Sequence, residues 1–279
     1  MHLFASMDKG VWPMPEYPVH EELLETACQY CVSLFLLKER LGVVPRAEDR
    51  NATVTLIEHG GRTYGVTCWH ILERLRKRNA RDATRFTLAT VVGRMYLLGD
   101  RFVRPLQHSP VQRETDLVVM QVHPDLPDEI GKRPILLDKM DEPPWDRIKC
   151  AIAVGFPECA KESTHDALGQ RVAIPCVHAV AECSPRPGER FHMFSELESM
   201  PDVRSLSGMS GGPVFWSTET RSGLLGITYE AASMTDGATN APRIWIAVES
   251  LTPSIFKTWV QQHRQLGQDI KWLKEPKKG

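Results

Sequence analysis

Three side chains in this sequence have the types and settings needed for acyl transfer. Ser210 stands inside Ser207-Gly208-Met209-Ser210-Gly211-Gly212-Pro213-Val214-Phe215-Trp216, a hydroxyl held among glycines and followed by an apolar run. Glycine admits backbone angles closed to other residues, so such a loop can present a nucleophile while turning backbone amides toward one point. The amides of Gly208 and Ser210 are the two placed to hold a developing oxyanion. A serine hydroxyl needs a base, and His70 in Thr67-Cys68-Trp69-His70-Ile71-Leu72 offers one. A base needs orienting, and Asp116 opens the apolar run Leu117 to Val122. Each residue alone also has a plain explanation: a loop, a packed imidazole, an acid that starts a strand. Their joint presence is what points to chemistry.

A second candidate is Cys28-x-x-Cys31, with the spacing of half a zinc site or of a redox motif. No second Cys/His pair of matching spacing follows, so buried structural thiols are expected, with no metal and no cofactor. Seven cysteines, at 28, 31, 68, 150, 159, 176 and 183, cannot all pair within one chain, and most are expected to be reduced.

The elements that would position these residues are mainly strands. His20 to Tyr30 carries Leu23, Leu24, Ala27 and Tyr30 at helical spacing. Cys31 to Leu37 and Ala52 to Glu58 then read as strands; His59-Gly60-Gly61 is a turn and Thr63 to Cys68 a strand, which makes a hairpin. His70 follows at a strand-to-helix corner, with a helix expected over Glu73 to Asn79. Further strands are expected at Arg85 to Val92, Arg94 to Leu98, Phe102 to Leu106 and Thr115 to Val122. His123 to Arg147, rich in proline, reads as a connection between halves. Strand-like runs resume at Lys149 to Gly155, Gln170 to Glu182, Arg190 to Phe194, Gly212 to Trp216, Leu224 to Thr228 and Arg243 to Val248. Thr252-Pro253 starts a closing helix.

Composition narrows the partners. The 279 residues are 42% hydrophobic and 25% charged, enough for one large domain or two small ones with real cores. Thirty-four basic and 35 acidic residues leave a net charge of −1, so no overall field recruits nucleic acid or anionic membrane. Met1 to Pro18, broken by Asp8, Lys9 and three prolines, does not read as a secretory signal, and Cys31 to Leu37 is too short to cross a bilayer as a helix. A cytoplasmic protein is the resulting expectation.

His70 at its corner, Asp116 at the start of its strand and Ser210 in Gly-Met-Ser-Gly-Gly-Pro, in that chain order, resemble the trypsin-like (chymotrypsin-fold) serine proteases over roughly residues 31–263. The match is not uniform, since that family more often has small residues where Cys68 and Trp69 stand. The resemblance implies an all-β fold of two six-stranded antiparallel barrels with a C-terminal helix and an N-terminal helical extension. Its parts would be an extension over 1–30, a first barrel over 31–122, a connection over 123–148, a second barrel with its helix over 149–265 and a polar tail over 266–279. It implies a serine endopeptidase in which Ser210 attacks, His70 is general base, Asp116 orients it and the Gly208 and Ser210 amides receive the oxyanion. Arg204, Thr228 and Arg243 fall where the resemblance puts the primary specificity pocket. A guanidinium there would favour an acidic residue before the scissile bond, although arginines flanking strands are also common on surfaces. Thr228-Tyr229-Glu230 would offer an edge to an extended substrate.

Met209 departs from the digestive and clotting members, which carry an acid there to pair with a newly cut N-terminus. Activation by that ion pair is closed to this chain, which looks like the bacterial and viral branches. Expected partners are a protein or peptide substrate and a regulatory protein. The alternative class is a catalytically silent pseudoprotease acting as a peptide-binding or scaffolding module. An α/β-hydrolase esterase is disfavoured, because Gly208-Met209-Ser210-Gly211-Gly212 satisfies its short motif but the chain order and β-rich context do not.

Overall fold

The computed structural model describes residues 21–36, 45–82, 88–90, 96–97, 101–105, 114–166, 169–188, 190–196, 205–235 and 242–265. The expected polar tail, the first twenty residues and Arg204 lie outside the described residues.

The first half is built on strands rich in β-branched residues. The helix α1 (Glu21–Thr26) continues as a 3-10 turn over Ala27–Tyr30, shorter than one continuous helix from His20. It feeds β1 (Cys31–Leu36), which pairs antiparallel with β2 (Asn51–His59). A two-glycine turn, with Gly60 at φ 58° and Gly61 at φ 68°, returns the chain into β3 (Arg62–Cys68). Both angles are left-handed, which is why glycines stand there. The next helix, α2 (Trp69–Asp82), starts four residues before the expected Glu73, so His70 lies within its first turn. β4 (Leu88–Thr90), β5 (Tyr96–Leu97) and β6 (Leu117–Gln121) complete the set; β6 is shorter than the sequence suggests, and the rest of the runs expected over Arg85 to Val92 and Arg94 to Leu98 lies outside the described residues. Among the described residues of the run expected over Phe102 to Leu106 there is no named strand, only a bridge from Val103 to Val119.

Residues 123–148 do more than connect. They hold α3 (Leu126–Glu129), β7 (Ile135–Leu136), which lies parallel to β2, and a short 3-10 turn. Leu126, Ile130, Ile135 and Leu137 from this span are buried in the core. Apolar residues between the prolines therefore matter more than the prolines themselves.

The sheet of this half has seven strands, running β5-β4-β1-β2-β3-β6 with β7 beside β2. Among the described residues it does not close. The second half does close. β8 (Cys150–Gly155), β11 (Val177–Cys183), β12 (Phe191–Glu196), β13 (Pro213–Ser217), β14 (Ser222–Thr235) and β15 (Pro242–Ser250) form a barrel in the order β11-β12-β15-β14-β13-β8. The expected strand over Gln170 to Glu182 is divided, because β9 (Glu162–Asp166) and β10 (Gly169–Ala173) make a separate two-stranded ribbon. α4 (Pro253–Gln265) closes the chain. Among the described residues the architecture is thus mainly β, with one closed six-stranded barrel, a seven-stranded sheet and a two-stranded ribbon; the second of the two expected barrels is not shown.

The two halves share one core. Leu34, Leu56 and Leu117 of the first sheet cluster with Ile152, Phe215 and Leu224 of the barrel and with Phe256 of α4. Tyr64 meets Phe256 edge-on at 5.3 Å. The strands that carry the site are therefore set against each other by apolar burial.

Cys28 corrects the cysteine reading. It is joined to Cys176, 148 residues away, with Cα atoms 6.0 Å apart. This bond ties the N-terminal helical segment to the approach to β11. Spacing along the chain could not reveal a partner so distant. Cys31 is the buried thiol of the pair, pushed up to about 12 by burial.

Candidate active site

Asp116 and His70 meet at the start of α2. The Asp116 carbonyl accepts from Trp69 N–H at 2.5 Å, and its carboxylate Oδ1 accepts from His70 N–H at 3.0 Å. The first amides of a helix have no partner within it, and an acid at that end suits their partial positive charge. The other oxygen, Oδ2, lies 2.6 Å from His70 Nδ1. One carboxylate therefore fixes both the backbone and the ring of His70. With Asp116 ionised, Nδ1 carries the ring proton and Nε2 keeps a lone pair for a base.

The serine loop is held by backbone contact. Gly208 has φ 98° and Gly211 φ 94°, both left-handed. A Cβ on Gly211 would stand 1.9 Å from Thr53 O, and one on Gly212 would stand 1.9 Å from Val154 O. A Cβ on Gly208 would meet Phe156 O at 2.6 Å. The glycines exist because β2 and β8 pass directly against this loop. Polar side chains on β2 then bind it: Thr53 Oγ1 donates to Gly208 O at 2.9 Å, Thr55 Oγ1 to Gly211 O at 2.7 Å, and Thr53 N–H to Ser210 O at 2.9 Å. Asn51 Nδ2 donates to Phe156 O at 2.7 Å and braces the neighbouring turn. Met209, where an acid might have stood, is fully buried in the barrel core and packs against Gly155.

One atom joins the two arms. Thr228 O accepts from Gly211 N–H at 2.7 Å and from the Cys68 thiol at 3.3 Å. Gly211 follows Ser210, and Cys68 lies two residues before His70. The loop of Ser210 and the strand that leads to His70 thus converge on β14. The Ser210 hydroxyl donates to Tyr229 O at 3.1 Å in this conformation. Tyr229 is the extra residue of an irregularity in the β14–β15 pairing between Thr228 and Glu230, which turns its carbonyl toward the serine. Among the described residues, the amides of Gly208 and Ser210 have no hydrogen-bond partner, so both can donate to an incoming oxygen.

Cys68, His70 and Asp116 also bring three metal-binding atoms within 4.8 Å of one another. Burial, then the charges of Asp116 and Glu249, push the Cys68 thiol well up, and it donates its proton to Thr228 O. A metal would require that proton's loss, so the donor chemistry does not suit one.

The specificity candidates fare differently. Thr228 is buried and its backbone is fully engaged, its N–H donating to Gly212 O at 2.8 Å, so it frames the loop of Ser210. Arg243 pairs across β12 with Glu196, and its guanidinium lies 5.4 Å from the Phe194 ring. It is five positions along β15 from Val248, the partner of Thr228, or about 17 Å of strand. Tyr229 is at the site, through its carbonyl. Sequence reading missed Thr53, Asn51 and Glu249. Only Glu249 left a trace, as a lone acid ending the apolar run Ile244 to Val248.

No family model matches the chain and no curated protein matches it. Among solved structures it is similar to the crystal structure of a thermostable serine protease, AL20, from an extremophilic microorganism, with 11% sequence identity and a TM-score of 0.40, over 84% of this chain and 96% of that one. No helix among the described residues is long and apolar enough to cross a membrane.

Proposed function

We propose that the chain is a serine endopeptidase of the trypsin-like kind, with the open first sheet as the counterpart of the closed barrel. The observation that carries this is the convergence on Thr228 O, which accepts from the amide that follows Ser210 and from the thiol two residues before the carboxylate-bound His70. The Ser210 hydroxyl leaves Tyr229 O by a rotation of its side chain and gives its proton to His70 Nε2 as the oxygen attacks a peptide carbonyl. Asp116 stabilises the imidazolium that forms. The Gly208 and Ser210 amides take the charge on the carbonyl oxygen, and His70 then protonates the leaving amine. Water repeats the sequence on the acyl-enzyme, returning Ser210.

The substrate backbone adds along β14. From Glu230 onward this strand pairs with β15 on one side and with no strand on the other among the described residues. That edge runs away from Ser210, and an extended peptide can complete its hydrogen bonds there. Tyr229 O, once released by the serine, is the first acceptor on it.

A fluorophosphonate probe tests the reading, since it reports an activated serine without a known substrate. Labelling of the full chain, lost in Ser210→Ala, is expected; labelling that survives the exchange removes Ser210 as nucleophile. A second reading, a peptide-binding module without turnover, is favoured by the Ser210 hydroxyl's bond to Tyr229 O instead of to the imidazole. It predicts that the parent chain is never labelled.

A further inference from the structure

Behind the His70–Asp116 pair lies an ion pair that the mechanism above does not use. Arg190, just before β12, donates from Nε to Glu249 Oε2 at 2.5 Å, with side chains only 15% and 14% exposed. The same Glu249 oxygen accepts from the Asp116 N–H at 3.3 Å. Arg190 Nη2 reaches Glu114 O at 3.4 Å, two residues before Asp116. The face of the guanidinium lies 4.6 Å from the Tyr229 ring, and the carbonyl of that residue holds the Ser210 hydroxyl. One pair of residues from the barrel half therefore touches the segment of the orienting acid and the residue that holds the nucleophile.

We propose that Arg190 and Glu249 are positioning residues for the hydrolytic site. Glu249 holds the backbone of Asp116 in register with α2, and Arg190 cancels the Glu249 charge so that His70 responds to one carboxylate and not two. This rests on the serine-hydrolase reading of the site. The field of the pair reaches the neighbouring Cys68: after burial and Asp116, Glu249 is the next influence raising that thiol, and Arg190 opposes them. The other charged groups around His70 are accounted for locally. Arg104 lies 4.6 Å from the Trp69 ring and pairs with Glu114 at 3.0 Å, while Glu73 and Lys77 on α2 pair with each other at 3.2 Å. Asp116 and Cys68 flank the ring itself.

Opposite exchanges should then move the base in opposite directions. Arg190→Gln leaves the Glu249 carboxylate unbalanced, which favours the imidazolium and raises the pH at which the base becomes free. Glu249→Gln leaves the guanidinium unbalanced and lowers it. An unbalanced charge beside the Asp116 segment shifts such a midpoint by on the order of one pH unit. The test is made on the full chain with two readouts: the pH dependence of fluorophosphonate labelling, and the titration of the His70 ring followed by NMR. The expected result is an upward shift in Arg190→Gln, a downward shift in Glu249→Gln, and a return to within about 0.3 unit of the parent in the double variant and in Arg190→Lys. If Arg190→Gln does not fold, the double variant must still titrate above Glu249→Gln. Midpoints that do not move, or that move the same way in both single variants, overturn the proposal. The NMR midpoint is read whether or not the probe reacts. Opposite shifts in a chain that is never labelled would sustain the positioning of His70 and overturn the hydrolase reading alone.

Discussion

The two arms of the site are held by different physics. On the first-sheet side, His70 is placed by charge and side-chain hydrogen bonds: one carboxylate takes its backbone amide at 3.0 Å and its ring at 2.6 Å. On the barrel side, Ser210 is placed by the absence of side chains. Gly208, Gly211 and Gly212 let β2 and β8 approach so closely that a single added carbon would overlap a carbonyl oxygen. An electrostatic arm tolerates changes of shape that preserve charge, and a steric arm the reverse. The arms should therefore fail in different ways when disturbed.

Gly211→Ala should have the largest effect. Its Cβ would lie 1.9 Å from Thr53 O on a residue at φ 94°, so the loop and β2 must part. A loss of about 4 kcal/mol or more is expected, read as a collapse of the urea midpoint. A variant within about 1 kcal/mol of the parent would show that the loop is not sterically locked. Asp116→Asn comes next and should act on chemistry rather than on fold. The amide can still accept from the His70 N–H but favours the wrong ring tautomer, so probe labelling should fall by about three to four orders of magnitude while the thermal midpoint moves by only a few degrees. Equal labelling would remove Asp116 from the mechanism. Thr53→Val should be the mildest of the three. It removes a hydroxyl that donates to Gly208 O at 2.9 Å and accepts from Phe156 N–H at 3.2 Å, leaving two buried groups unpaired. About 1–3 kcal/mol of stability should go, together with part of the labelling rate. Full stability with slower labelling would mean that Thr53 tunes the amides of the loop more than it braces the fold.

Legibility followed the same division. Ser210 and its glycines were readable because steric demands leave a local signature: only glycine fits, and it recurs within five residues. His70 and Asp116 were readable as types and settings, while their distance was not. The hairpin of β2 and β3 was legible from β-branched residues flanking Gly60-Gly61. The packing of residues 123–148 was not, because prolines concealed four apolar residues that only a folded core brings together. Thr228 and Arg243 were placed by their membership of the last two strand-like runs, which cannot show that one is framed by backbone bonds and the other lies far along β15.

By itself the sequence determined the β-rich class, the glycine-bound hydroxyl and the chain order of His70, Asp116 and Ser210, since all of these follow from local backbone preference and residue type. The tertiary structure alone decided which atoms meet. That Cys68 and Gly211 share Thr228 O, that Cys28 pairs with Cys176 and that Arg190 and Glu249 stand behind Asp116 depends on segments distant in the chain, 59 residues apart for Arg190 and Glu249 and 160 for Cys68 and Thr228, being pressed together. Burial of the shared core drives that approach, and no local pattern encodes it.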